Sequence, residues 1–169
     1  MNNQPVPSSA GSAELLKQIA EHPFLRGMTA GQFKILADSA MLKNFDKDEL
    51  IFREGDVANR FYLIREGKVA LEHADENETP HLIQHIGAGD VLGWSWLFPP
   101  YYWHFDARAV EPTKAIFFYG TRLREQCESD PVLGYELMRR MADVIVKRLQ
   151  ASRKQMLEYY RQERKRAAK

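Results

Sequence analysis

Hydrophobic positions recur with three different textures along this chain. Between residues 13 and 37 they fall three or four apart, first at Leu15, Leu16 and Ile19 and then at Phe33, Leu36 and Ala37, which is the period of short amphipathic helices. The second of these opens at Thr29, whose hydroxyl can cap the helix while Gln32 reaches back to the Thr29 amide as a capping box. From Met41 to Tyr119 the pattern changes to short runs rich in Phe, Ile, Val and Tyr, predicting strands at 50–53, 61–65, 68–73, 81–86, 105–110 and 115–119. Turn signals separate them at 54–56, 66–67, 75–78, 87–90 and 111–113. Short strands punctuated about every 8–12 residues indicate a sandwich or closed barrel rather than βαβ units.

From Thr121 the helical period returns, with Leu123 and Cys127 on a first helix. A second helix has a strong start, because Asp130 can cap it while Pro131 takes its first position. It is expected to span 131–165, and at ~1.5 Å per residue it outreaches the barrel beside it. Met138, Met141, Ile145, Leu149, Ser152, Met156 and Tyr159 follow at steps of three or four, the stripe of a helix packed on another helix. Leu133, Leu137, Val144 and Ala151 form a second stripe on a different side. Two apolar faces predict one against the chain's own barrel and one against a second copy, with Met138, Met141, Ile145, Leu149 and Met156 at a parallel twofold interface.

Composition narrows the class. In 169 residues there is room for one packed domain with an extension. With 44% hydrophobic and 28% charged residues the chain is globular, and a net charge of +1 provides no general attraction to nucleic acid or anionic membrane. A single cysteine, Cys127, rules out an internal disulfide and fits a reducing cytoplasm. No apolar run approaches a membrane span, and the start lacks the texture of a secretion signal. Residues 1–12, rich in Pro, Ser and Asn, are expected to form a disordered tail, and 166–169 a basic one.

Three glycine-punctuated segments carry a resemblance: 46–56 (DKDELIFREGD), 61–69 (FYLIREGKV) and 86–93 (IGAGDVLG). Over about 22–150 the chain resembles the cyclic-nucleotide-binding domain, the sensor half of the catabolite-activator and fumarate-nitrate regulator family. The resemblance implies a mainly β fold with helices, a double-stranded β-helix (jelly-roll) barrel with short N-terminal helices and a long C-terminal dimerisation helix. It also implies a ligand pocket inside the roll. The domain is expected at 13–150. In two-domain relatives a helix-turn-helix follows; no such segment follows 131–165 here, so direct DNA binding is not expected.

The ligand cassette departs from the family. There a Gly-Glu pair opens a short helix, its Glu holding the ribose, and an Arg some ten residues on pairs with the cyclic phosphate. Gly93 matches the glycine, but Trp94 stands at the Glu position, and Trp103 at the Arg position, or Tyr102 if the gap shifts by one. A micromolar ligand binds with about −8 kcal/mol, and losing the partner of a buried charge removes ~2–5 kcal/mol. Affinity would fall by roughly 30- to 4,000-fold, which disfavours cyclic AMP bound in the usual way. The replacement segment 93–106 (GWSWLFPPYYWHFD) holds all three tryptophans. Its rings either line a pocket for a flat ligand, with Ser95 and His104 as polar contacts, or fill the pocket themselves; a surface patch for a protein partner, stiffened by Pro99-Pro100, is a third use. Arg148 on the long helix falls near where family members touch the base, and either charges the pocket or makes an ion pair.

Enzymatic readings are weaker. Jelly rolls also house cupin-type metal enzymes, yet none of the five histidines forms a His-x-His pair, and His81 and His85 on one strand would stand ~13 Å apart. No catalytic residues and no metal ligands are assigned. The sequence thus predicts a non-catalytic, cytoplasmic, small-molecule-sensing module, homodimeric and open to a protein partner. Its pocket candidates are Gly93, Trp94, Ser95, Trp96, Trp103, His104 and Arg148. No resident cofactor is assigned; a cyclic nucleotide or another small planar molecule is the ligand class. The alternative is a ligand-free dimeric scaffold.

Overall fold

The computed structural model describes residues 9–73 and 80–167. The strands form two antiparallel four-stranded sheets packed face to face, a jelly roll. One sheet has the order β1 (Ala40–Phe45), β8 (Thr113–Tyr119), β3 (Arg60–Glu66), β6 (Val91–Leu92); the other has β2 (Leu50–Phe52), β7 (Asp106–Ala109), β4 (Lys68–His73), β5 (His81–Gly87). The chain passes between the sheets through the tight turn at Gly67, with φ +90°. A Cβ there would lie 2.5 Å from both the Pro112 carbonyl oxygen and the Thr113 hydroxyl, so only glycine lets the two strand ends approach.

The first sheet is covered on both faces. Inside the roll, Tyr62, Ile64, Leu92 and Ala115 meet Val69, Leu71, Ile86, Ala107 and Ala109 of the second sheet. Outside, Phe61, Leu63, Ile116 and Phe118 pack against α1 (Ser9–Glu21), α2 (Ala30–Ala37), α3 (Gly120–Ser129) and the start of α4 (Pro131–Ala167). Burial on both faces explains why β3 reads as a continuous apolar run rather than an alternating one.

Local signals behave as expected at the helix starts. Thr29 and Gln32 form both halves of the capping box, and the Asp130 carboxylate accepts from the Val132 and Leu133 amides. Two strands were not foreseen. β1 buries only its two end residues and β6 has two residues in all, so neither carries a period; pairing with β8 and β3 makes them strands. The disordered tail expected at 1–12 is too long, since α1 already begins at Ser9. The rest of that tail, the 75–78 turn and residues 168–169 lie outside the described residues.

His22 joins the helical layer to the roll. Its Nδ1 accepts from the Phe24 amide and its Nε2 sits 3.1 Å from the Ile64 carbonyl, two bonds that together require the neutral ring protonated at Nε2. Burial holds its pKa below the ordinary histidine value, opposed by the Ile64 hydrogen bond and the charge of Asp90, with Arg65 adding a little in the same direction as burial.

α4 runs for 37 residues, about 55 Å at ~1.5 Å per residue. Leu133, Leu137 and Met141 are buried beneath it, with Val144 and Ile145 partly so. Met141, expected at the interface between copies, therefore belongs to the chain's own core. One residue is a 100° step around a helix, and the step from Met141 to Ala142 crosses from the inner face to the outer one. The outward stripe is Tyr135, Met138, Ala142, Leu149, Ser152, Met156 and Tyr159, with Ile145, expected at the interface, packed partly against the chain's own core at its edge. Leu149 is 68% exposed and Met156 51%. Beyond Gln150 every described residue of the helix is exposed.

Candidate ligand site: a filled roll and an open cleft

The cassette segment leaves β6 through Gly93 and ends where β7 begins. Gly93 has φ +82°, and a Cβ on it would lie 2.8 Å from the Cζ3 and Cη2 atoms of Trp103. The indole of Trp103 thus rests directly on the glycine. Two backbone bonds hold it there: its amide donates to the Asp56 carbonyl, and its carbonyl accepts from the Gly55 amide, each at 2.9 Å. On its other side the ring stacks on Phe52, with centroids 3.9 Å apart and planes 13° from parallel. Only 5% of Trp103 remains exposed.

Six of the seven candidate residues converge. Gly93, Trp94, Ser95, Trp103, His104 and Arg148 line one small cavity together with Phe52, Leu71, Leu92 and Phe105. Its volume is about 20 Å³, room for one water molecule, whereas small-molecule sites usually offer ~300–1,000 Å³. Trp94 lines this cavity with its ring 5.6 Å from that of His104. Trp96 does not belong here. It is fully buried on the far side, packed with Phe61 under the helices, because the 3₁₀ turn Ser95–Leu97 rotates it away from Trp94. Phe52 and Phe105 were not singled out from sequence, since a single phenylalanine on a strand has no distinguishing signal there.

A larger space lies beside the roll. A cleft of about 550 Å³ opens between α4 and the β5–β6 turn, lined by Pro23, Phe24, Gln84, Ile86, Gly89, Asp90, Val91, Arg139, Arg140, Asp143, Val144, Lys147 and Arg148. Three of its cations are already paired. Arg139 and Arg140 share Glu136 at 2.7 Å, and Arg140 also donates to the Phe24 and Arg26 carbonyls. Lys147 meets Asp143 at 2.7 Å. Arg148 differs: it lines both the cleft and the small cavity, and its one hydrogen bond among the described residues goes to the Val91 carbonyl. Burial disfavours its charged form and Asp90 nearby favours it, but no carboxylate of the described residues pairs with it.

A jelly roll flanked by helices, with a glycine-initiated turn between β6 and β7 and a long C-terminal helix beside it, defines the class of domain. The sequence profile of the cyclic nucleotide-binding domain matches residues 42–130, over half of the chain, and this chain belongs to that family. The solved cyclic nucleotide-binding domain of Methylobacillus flagellatus superposes with a TM-score of 0.76 at 18% identity, covering 88% of this chain and 85% of that one. The catabolite activator protein of Thermus thermophilus gives a TM-score of 0.63 at 19% identity over 82% of this chain and 63% of its own. At those identities the likeness is one of fold. The type II regulatory subunit of the cAMP-dependent protein kinase of Drosophila melanogaster is 31% identical over 80 residues, 47% of this chain and 20% of that protein. The chain thus spans about a fifth of that relative's length. Among the described residues no helix is long and apolar enough to cross a membrane.

Proposed function

We propose that this chain is a non-catalytic regulatory module that pairs through α4 and whose roll is closed to a cyclic nucleotide. The observation that carries the reading is Trp103 seated on Gly93. On the family resemblance this niche is the one expected to take a sugar phosphate, and about 20 Å³ is left around the indole that fills it. On that resemblance, Trp94 and Trp103 stand where a carboxylate for the ribose and a guanidinium for the phosphate are expected.

Dimerisation rests on the outward stripe of α4. A lone copy would leave Tyr135, Leu149, Met156 and Tyr159 in water along one face, and steps of three and four are the seam of a two-stranded coiled coil. The helix carries both the chain's own core contacts and this seam, so a change beside the roll reaches the partner along one rigid element. The cytoplasm is the compartment this role fits. A ligand-free scaffold is the second reading, favoured by the filled roll; a cupin-type enzyme has less support, because no cluster of three metal-binding side chains occurs among the described residues.

Calorimetric titration with cyclic AMP and cyclic GMP tests the closed roll. No saturable heat is expected at micromolar nucleotide. Saturable uptake that quenches tryptophan fluorescence and survives substitution of Arg148 would place the nucleotide inside the roll and overturn the reading.

A further inference from the structure

We infer that the cleft between α4 and the β5–β6 turn is a binding site for a small organic anion, whose acidic group pairs with Arg148. This rests on the closed roll, since it moves ligand sensing from the inside of the barrel to its flank. The cleft has the size of a small-molecule site, and its two kinds of lining divide the ligand into two parts. Pro23 and Val144, with the edge of Phe24, offer apolar contact to a hydrocarbon or aromatic body. The acidic group is called for by Arg148. A guanidinium has five donors, and among the described residues a carbonyl is the one hydrogen-bond partner of Arg148. Asp90 acts on Arg148 only through space, and among the described residues no carboxylate hydrogen-bonds to it or forms an ion pair with it, so an incoming carboxylate or phosphate would supply the direct partner. The other cations of the cleft do not make the same demand, because Glu136 and Asp143 already answer them.

Arg148 also sits on α4 next to Leu149 of the outward stripe. Its guanidinium is tied to Val91, the first residue of β6, which runs directly into Gly93. An anion that draws Arg148 toward the cleft would loosen that tie and act on the helix that carries the seam. The ligand and the pairing of copies would then be linked through one side chain.

The test uses the full chain and three probes that separate the two halves of the ligand: phenyl phosphate, inorganic phosphate and phenol, each titrated calorimetrically. Phenyl phosphate is expected to saturate, inorganic phosphate to bind about tenfold or more weakly, and phenol not to bind. Arg148→Gln should lower phenyl phosphate affinity by about tenfold or more, as expected for a lost charge-assisted hydrogen bond, whereas Arg148→Lys should keep part of it. Should Arg148→Gln unfold, Lys147→Glu at the exposed rim provides the second arm, and its reversed charge should also weaken binding. Phenol binding as tightly as phenyl phosphate, affinity indifferent to both substitutions, or no binding of any probe at millimolar concentration would each overturn the inference. Those results leave the closed roll standing; that reading fails separately, on cyclic nucleotide uptake that does not depend on Arg148.

Discussion

Replacing Trp103 with alanine puts the filled roll to a quantitative test. The indole is 95% out of solvent, seated on Gly93 and stacked on Phe52. Truncating a buried tryptophan to alanine removes about 3–5 kcal/mol, of which the ring-on-ring contact accounts for about 0.5–1.5 kcal/mol. For a chain of this size each kcal/mol lowers Tm by about 2–4 °C, so a fall of about 6–20 °C is expected in differential scanning calorimetry. The neighbour Tyr102 is the control. It is 46% exposed, and Tyr102→Ala should stay within about 0.5 kcal/mol. The hole left by Trp103→Ala is apolar and flat, so free indole should refill it, restoring about 2.7 kcal/mol at 100 times its Kd. If Trp103→Ala lowers Tm no more than Tyr102→Ala does, the indole is not a core residue and the account of the closed pocket is wrong.

Three further outcomes follow from other parts of the molecule. Leu149→Glu puts a charge on the exposed face of α4 and should shift sedimentation from dimer to monomer at micromolar protein with the roll intact; Met141→Glu should instead unfold the chain, because Met141 lies in its core. If Leu149→Glu leaves the sedimentation coefficient unchanged, the pairing face is elsewhere. The folded-state pKa of His22 is depressed, so the unfolded chain binds more protons in the window below the ordinary histidine value of about 6.5. Stability should therefore decline as pH falls through that window, and His22→Gln should flatten that part of a denaturation series run against pH. A wild-type curve that rises on acidification would contradict the neutral, Nε2-protonated ring.

Much of this architecture was legible in short-range chemistry. Asp130-Pro131 and Thr29 with Gln32 mark helix starts because capping needs only neighbours in sequence, and glycine turns between β-rich runs mark a roll for the same reason. β1 and β6 were invisible, since their identity comes from β8 and β3, far away along the chain. The candidate site divides likewise. On the family resemblance, Trp94 and Trp103 are read where an acid and an arginine are expected. Whether the rings line the pocket or fill it depends on the distance between Trp103 and Gly93, and only the folded backbone sets that.

The amino-acid order thus determined the kind of domain and the starts of its helices, consequences of residue type and local spacing. Tertiary structure decided which tryptophan faces inward, which methionine of α4 belongs to the core, and that Arg148 stands beside an open cleft. Those outcomes depend on segments distant in sequence meeting in space, where a rotation of one residue along a helix or a 3₁₀ turn exchanges buried for exposed.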